Sequence, residues 1–173
     1  MTTITTTAED RLAGLGIHLP DAPTPFGAYV PAVQTGRLLF LSGMLATSGH
    51  AATVVGIVGK DLDVKAGRKA AHTAALNVLA LAKKQLGSLN RVSHVVRLGV
   101  YVAATPEFAE HPKVADAASE LLRDVFGDLA PCLWCREPSA RFAGRTGSHL
   151  GGEVLRGQKR GHRRLARRTS RRT

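Results

Sequence analysis

The stretch from Arg91 to Phe126 constrains the fold more than any other part of the chain. Its first half, Arg91 to Ala103, alternates by twos, with Val96, Leu98, Val100 and Val102 on one face and Val95, Arg97 and Tyr101 on the other. That pattern predicts a strand. After a turn at Thr105-Pro106-Glu107, apolar residues return at Val114, Ala117, Ala118, Leu121, Leu122, Val125 and Phe126. Their spacing makes one apolar face at a helical period, so an amphipathic helix is predicted just after Pro112, whose fixed φ suits a first turn. A strand feeding a helix needs a sheet on which both can pack, and the remaining chain must supply it.

Residues 1–20 predict a short helical lead, with too few apolar positions around Ala8–Leu12 to require a place in the core. Asp21–Gly27 is a connector whose prolines disfavour helix in the residues before them. Two strands, Tyr29–Val33 and Leu38–Ser42, then flank Gln34-Thr35-Gly36-Arg37, where Gly36 can supply the positive φ of a hairpin turn. Leu38–Leu41 is apolar on both faces, as in an inner strand covered by a helix on one side and by something else on the other. A short strand is expected at Val54–Val58. Asp63 then stands as N-cap of a long helix, Val64–Leu86, closed by Gly87 and carrying Lys83 and Lys84 at its negative end. Ala66, Ala70, Ala74, Asn77, Val78, Leu81 and Ala82 give it a narrow, small-residue face. His72 and His94 have no partners at metal spacing and are expected to be structural or solvent-facing.

The 173 residues suit one domain, and the formal charge of +11 suggests a nucleic-acid binder until it is divided along the chain. Residues 1–128 carry 12 lysines and arginines against 11 acids, a net of +1, whereas residues 129–173 carry 12 against two, a net of +10. The basicity therefore belongs to the tail. No stretch approaches the roughly 20 apolar residues of a membrane span, and the threonine-rich start lacks a basic, then apolar leader, so a cytoplasmic protein without membrane contact is expected. Cys132 and Cys135 form a lone CxxC. His149 and His162 are too far apart for a zinc finger, and no strand-to-helix context precedes the pair, so the expectation is two incidental thiols and no metal.

Several blocks, taken in order, resemble a known family. They are Pro25-Phe-Gly-Ala-Tyr29-Val-Pro, Leu39-Phe-Leu-Ser42-Gly43, Ala74-Ala-Leu-Asn77-Val-Leu-Ala, Gly87-Ser-Leu-Asn-Arg-Val92, and Val100 to Phe108 followed by His111 to Ser119. Over about residues 20–127 they resemble the reactive intermediate deaminase family, RidA or YjgF, also labelled endoribonuclease L-PSP. The resemblance implies an α+β, chorismate-mutase-like fold, β-α-β-α-β-β, with helices on one sheet face. It also implies a homotrimer with small-molecule clefts between subunits, and hydrolysis of reactive imino or enamino acids without a cofactor. In typical members a fifth-strand arginine holds the substrate carboxylate and a last-strand glutamate positions the attacking water. A tyrosine near the first strand and groups after the second complete the cleft. By the resemblance these substrate-binding positions are Tyr29, Ser42 and Gly43. Tyr29 equally suits a half-buried strand position, and Ser42-Gly43 a plain turn. The asparagine that many deaminases carry in the second of their helices falls near Asp116, which leaves the substrate open.

After Asp128 the resemblance stops where the arginine and glutamate strands should follow, and both are expected to be missing from the chain as written. The domain division expected is therefore a lead at 1–20, an incomplete RidA-like domain at 21–128, and a basic, disordered, aberrant tail at 129–173. Read one base out of frame, with only degenerate third positions left free, Pro131–His149 can encode HASGVGSLPLGLPVELVLI. That string alternates like a strand, turns at Pro and Gly, and resembles the absent end of the family, including its glutamate; Ala130 followed by Pro131 also permits an arginine just before it. A one-base frameshift near codons 128–130 would explain the tail. Ala140-Arg141 as the family's own arginine fails on context, since no valine-rich strand follows. No catalytic residue is assigned as written, so deaminase activity is expected to be impaired. Two other functions are carried: a non-catalytic metabolite-binding protein of the same fold, and RNA binding or cleavage. In the latter the arginine-rich tail would attract phosphate non-specifically, without aromatic residues for base stacking.

Overall fold

The first strand of the sheet starts later than its apolar pattern suggests, and Pro31 is the reason. The computed structural model describes residues 6–127, 132–136 and 149–157, and in it β1 spans Ala32–Thr35 and β2 spans Leu38–Leu41. Proline has no N–H to give to a ladder, so the pairing begins one residue on. Gly36 makes the turn between them at φ 56°. Two-residue strands β3 (Met44–Leu45), β4 (Thr47–Ser48) and β5 (Ala51–Ala52) follow. The strand expected at Val54–Val58 does not form. Val58 is instead fully buried and makes isolated bridges to Leu62 and Ala104.

Helix α2 runs Val64–Leu86, with Asp63 accepting from the Ala66 N–H as N-cap and Gly87 at φ 80° as C-cap. Its buried surface is broader than the expected narrow face and includes Gly67, Ala71, Ala75, Leu79 and Leu86, because α2 is covered by more than the sheet. Helix α3, His111–Phe126, lies along it. A Cβ on Gly67 would stand 3.1 Å from a methyl of Val114 and 3.3 Å from one of Val58, so the close approach of the two helices uses the missing side chain. Both His72 and His94 face solvent.

The N-terminal lead contributes more than expected. Helix α1, Ala8–Gly14, opens with a capping box between Thr7 and Asp10, and Leu12 is buried in the main core. Glu9 ties α1 to the turn that follows α2. The Ser88 hydroxyl, hydrogen-bonded at 2.8 Å, holds the Glu9 carboxyl below its usual range, with the Leu89 N–H and Lys83 adding to the effect against partial desolvation.

Strand β6, Val92–Tyr101, corrects the predicted alternation. Val95 is fully buried while Val96 is 40% exposed, and Leu98 and Val100 are buried. The pairing register shifts between Val95 and Arg97. A bulge consumes one residue there and turns the earlier half of the strand over relative to the later half.

The last two strands are present, contrary to expectation. Strand β7 is Cys132–Arg136, parallel to β6, and β8 is His149–Gly157, antiparallel to both β2 and β6. The sheet order is β1-β2-β8-β6-β7, with β3 pairing β8. Backbone pairing tolerates many side chains, so a sequence without the family's motifs still completes the ladder that β2 and β6 leave open. Cys132 and Cys135 thus stand within a strand. The remainder of the tail, for which disorder was expected, lies outside the described residues. The helices cover one face of the sheet. On the other, Val33, Phe40 and Val96 are each 40% exposed or more, so nothing in the described chain supplies the second cover expected over Leu38–Leu41.

Candidate functional site

The connector that carries Tyr29 returns to the sheet at the end of β2. The Ser42 N–H donates to the Pro31 carbonyl at 2.9 Å, continuing the β1–β2 ladder one step past its regular end. This brings the predicted residues Tyr29 and Gly43 to one small niche. Pro25, Phe26 and Tyr29 form one wall, and Gly43, Met44 and Thr47 the other. The third predicted residue, Ser42, does not line the niche. Its hydroxyl is buried with no hydrogen-bond partner among the described residues. A buried hydroxyl without a partner carries a desolvation cost.

The niche holds about 40 Å³, room for on the order of two waters. That is too small to enclose an amino acid. Tyr29 is 48% and Phe26 54% exposed, an arrangement that leaves both rings available to a further surface. The connector is held from behind by the β4–β5 hairpin. Thr24 Oγ1 lies 3.1 Å from His50 Nε2, and the Phe26 ring meets the His50 ring edge-on at 5.6 Å. Phe26, Met44, Thr47 and His50 were not anticipated from sequence. The Pro25-Phe26 block was visible, but no local pattern indicates that a hairpin turn would reach it.

A larger groove, about 420 Å³, lies on the helical side between residues 16–20 and α2. It is lined by Glu9, Leu12, Ile17 and Lys83, and its one acid is already engaged by Ser88, Leu89 and Lys83. Among the described residues no group of three or more His, Cys, Asp or Glu could hold a metal ion, and no helix is long and apolar enough to cross a membrane. Arg136 on β7 pairs in register with Tyr101, and Glu153 on β8 with Leu41, next to Ser42.

A mixed sheet with two long helices on one face, and a niche at the end of its second strand, defines the chorismate-mutase-like α+β class. The family model described as "YjgF/chorismate mutase-like, putative endoribonuclease" matches residues 9–135, and the chain belongs to this YjgF/RidA family. The match is wider at both ends than the blocks over 20–127, taking in most of α1 and β7 through Cys135. Protein TCP17 of Trypanosoma cruzi is 40% identical over 118 residues, 68% of this chain and 74% of that protein. The solved structure of Atu1372 from Agrobacterium tumefaciens, a protein of unknown function, is 32% identical with a TM-score of 0.76, covering 88% of this chain and 94% of that one. A "putative endoribonuclease" from Shewanella oneidensis MR-1 is 27% identical, also with a TM-score of 0.76, over 87% and 99% of the two chains.

Proposed function

We propose that the cleft at Tyr29, Ser42 and Gly43 binds a reactive imino or enamino acid and hydrolyses it to the keto acid and ammonia, in a cytoplasmic homotrimer without a metal or organic cofactor. The observation that carries this is the convergence of Tyr29 and Gly43 on one niche beside the unpartnered Ser42 hydroxyl. Water adds to the imine carbon, the nitrogen is protonated, and the C–N bond breaks to release ammonia. A tyrosine hydroxyl and backbone groups can orient the imine. The trimer is supported by the half-formed niche and by the exposed Val33, Phe40 and Val96 on the open sheet face, where neighbouring subunits would complete both.

Activity is impaired in the chain as written. None of the residues that line the described niche is an arginine or a lysine, the side chains suited to holding a substrate carboxylate. This supports a one-base frameshift near codons 128–130. The test compares the chain as written with a reframed chain in which residues 130–149 read RHASGVGSLPLGLPVELVLI. Both are given a 2-imino acid made in situ by an amino-acid oxidase, and ammonia is followed. Activity confined to the reframed chain supports the proposal.

A second reading, amino-acid binding without turnover, is favoured by Escherichia coli TdcF, whose structure contains bound serine. That protein shares the fold at 18% identity and a TM-score of 0.57. Saturable amino-acid binding with no ammonia from either chain would select it.

A further inference from the structure

Asn77 stands in the middle of α2 and is 2% exposed; with Thr47 it makes up the buried polar side chains among the described residues. Its Nδ2 donates to the Leu45 and Thr47 carbonyls, both at 3.0 Å, and lies 3.3 Å from Thr47 Oγ1. Two N–H bonds thus meet three acceptors. From another direction, the Thr53 N–H and Oγ1 both donate to the Ala46 carbonyl at 2.8 Å. The carbonyls of three consecutive residues, Leu45 to Thr47, are all taken. This segment follows Gly43 directly, and Met44, Leu45 and Thr47 line the niche that Tyr29 faces.

A helix gains nothing intrinsic from a buried asparagine, which is a poor helix former and must be desolvated. An apolar residue would suit the surrounding alanines and leucines better, but would leave the two carbonyls unanswered. The amide supplies two donors on one neutral nitrogen, which neither serine nor aspartate provides.

We propose that Asn77 is a positioning residue of the cleft: it sets the Gly43–Thr47 backbone against Tyr29, so that a ligand meets a wall already in place. The inference rests on the assignment of the niche as the binding site, but its first test does not. Asn77→Asp keeps the shape and aims carboxylate oxygens at three acceptors, and Asn77→Ser is too short to reach them. Val78→Ala, at the next and equally buried position, controls for lost packing.

The first readout is amide hydrogen exchange in the chain as written. Exchange at residues 43–47, normalised to amides of β6, should quicken at least tenfold in both Asn77 variants and stay within twofold in Val78→Ala. Unchanged exchange overturns the proposal whatever the activity. If neither Asn77 variant folds, Thr53→Val removes a hydrogen bond to the same segment at an exposed residue. It should quicken the same amides at least threefold, and failure to do so also overturns the proposal. The second readout is imine hydrolysis by the reframed chain, in which Asn77→Ser should lower kcat/KM about tenfold while Val78→Ala stays within twofold at a temperature where both are folded. Faster exchange with no turnover in the parent keeps the positioning role and removes the deaminase assignment.

Discussion

The Ser42 N–H donates to the Pro31 carbonyl at 2.9 Å, and this hydrogen bond joins the two stretches that carry the candidate site. Pro31 can accept but cannot donate, so the ladder ends there and the chain is released toward Tyr29 on one side and Gly43 on the other. The niche is a product of where the sheet stops.

Tyr29→Phe keeps the ring and removes the hydroxyl. Because Tyr29 is about half exposed, thermal stability should change little, by less than about 0.5 kcal/mol. In the reframed chain kcat/KM for imine hydrolysis should fall roughly tenfold, a typical effect of losing one orienting hydrogen bond of about 1.4 kcal/mol. An unchanged kcat/KM would remove Tyr29 from the site.

Glu9 should make stability depend on pH. Its carboxyl is held below the usual range, first by Ser88, so the folded state favours the ionised form. That contribution is fully present above the unfolded value of about 4.3 and fades as pH falls through the lowered folded value. Glu9→Gln should therefore cost about 1 kcal/mol at pH 7, where the charge-assisted bonds are lost, a figure reduced for partial exposure. The two chains should converge in stability once pH has fallen through that lowered value. Urea unfolding across that range checks it, and a pH-independent difference would contradict it.

Phe40 probes the open sheet face. Phe40→Lys places a charge where Val33 and Val96 are also exposed, and should leave the fold intact while shifting sedimentation from three times the 18.3 kDa chain mass to one. A parent that already sediments as a monomer would exclude the trimer.

The basic end should account for any RNA binding. Residues 158–173 carry eight of the tail's twelve lysines and arginines and follow β8, so ending the chain at Gly157 spares the sheet strands. Binding to single-stranded RNA should weaken steeply with salt in the full chain and be lost in the shortened one. RNA binding or cleavage that survives the truncation would favour the endoribonuclease alternative.

What could be read from the sequence was what local chemistry decides. Asp63 and Gly87 bound α2 because a cap needs only its own turn, and Gly36 turns the first hairpin for the same reason. Tyr29 and Gly43 were found through the family's blocks, not through periodicity. The missed features depend on partners distant in the chain. The bulge at Val96 exists only in the pairing of β6 with β8, Leu12 is buried by helices beyond it, and Asn77 looks like one more small residue on an apolar stripe until Leu45 and Thr47 are beside it. A polar amide within such a stripe was the available signal. The presence of β7 and β8 was hidden because ladder completion depends on backbone more than on the motifs by which those strands are recognised.

Ammonia release from a 2-imino acid, measured side by side for the chain as written and the chain reframed over residues 130–149, tests the central claim most directly. The account predicts metal-independent turnover by the reframed trimer and no hydrolysis above background by the written chain. Activity of the written chain within tenfold of the reframed one, or none in a correctly folded reframed trimer, would contradict it.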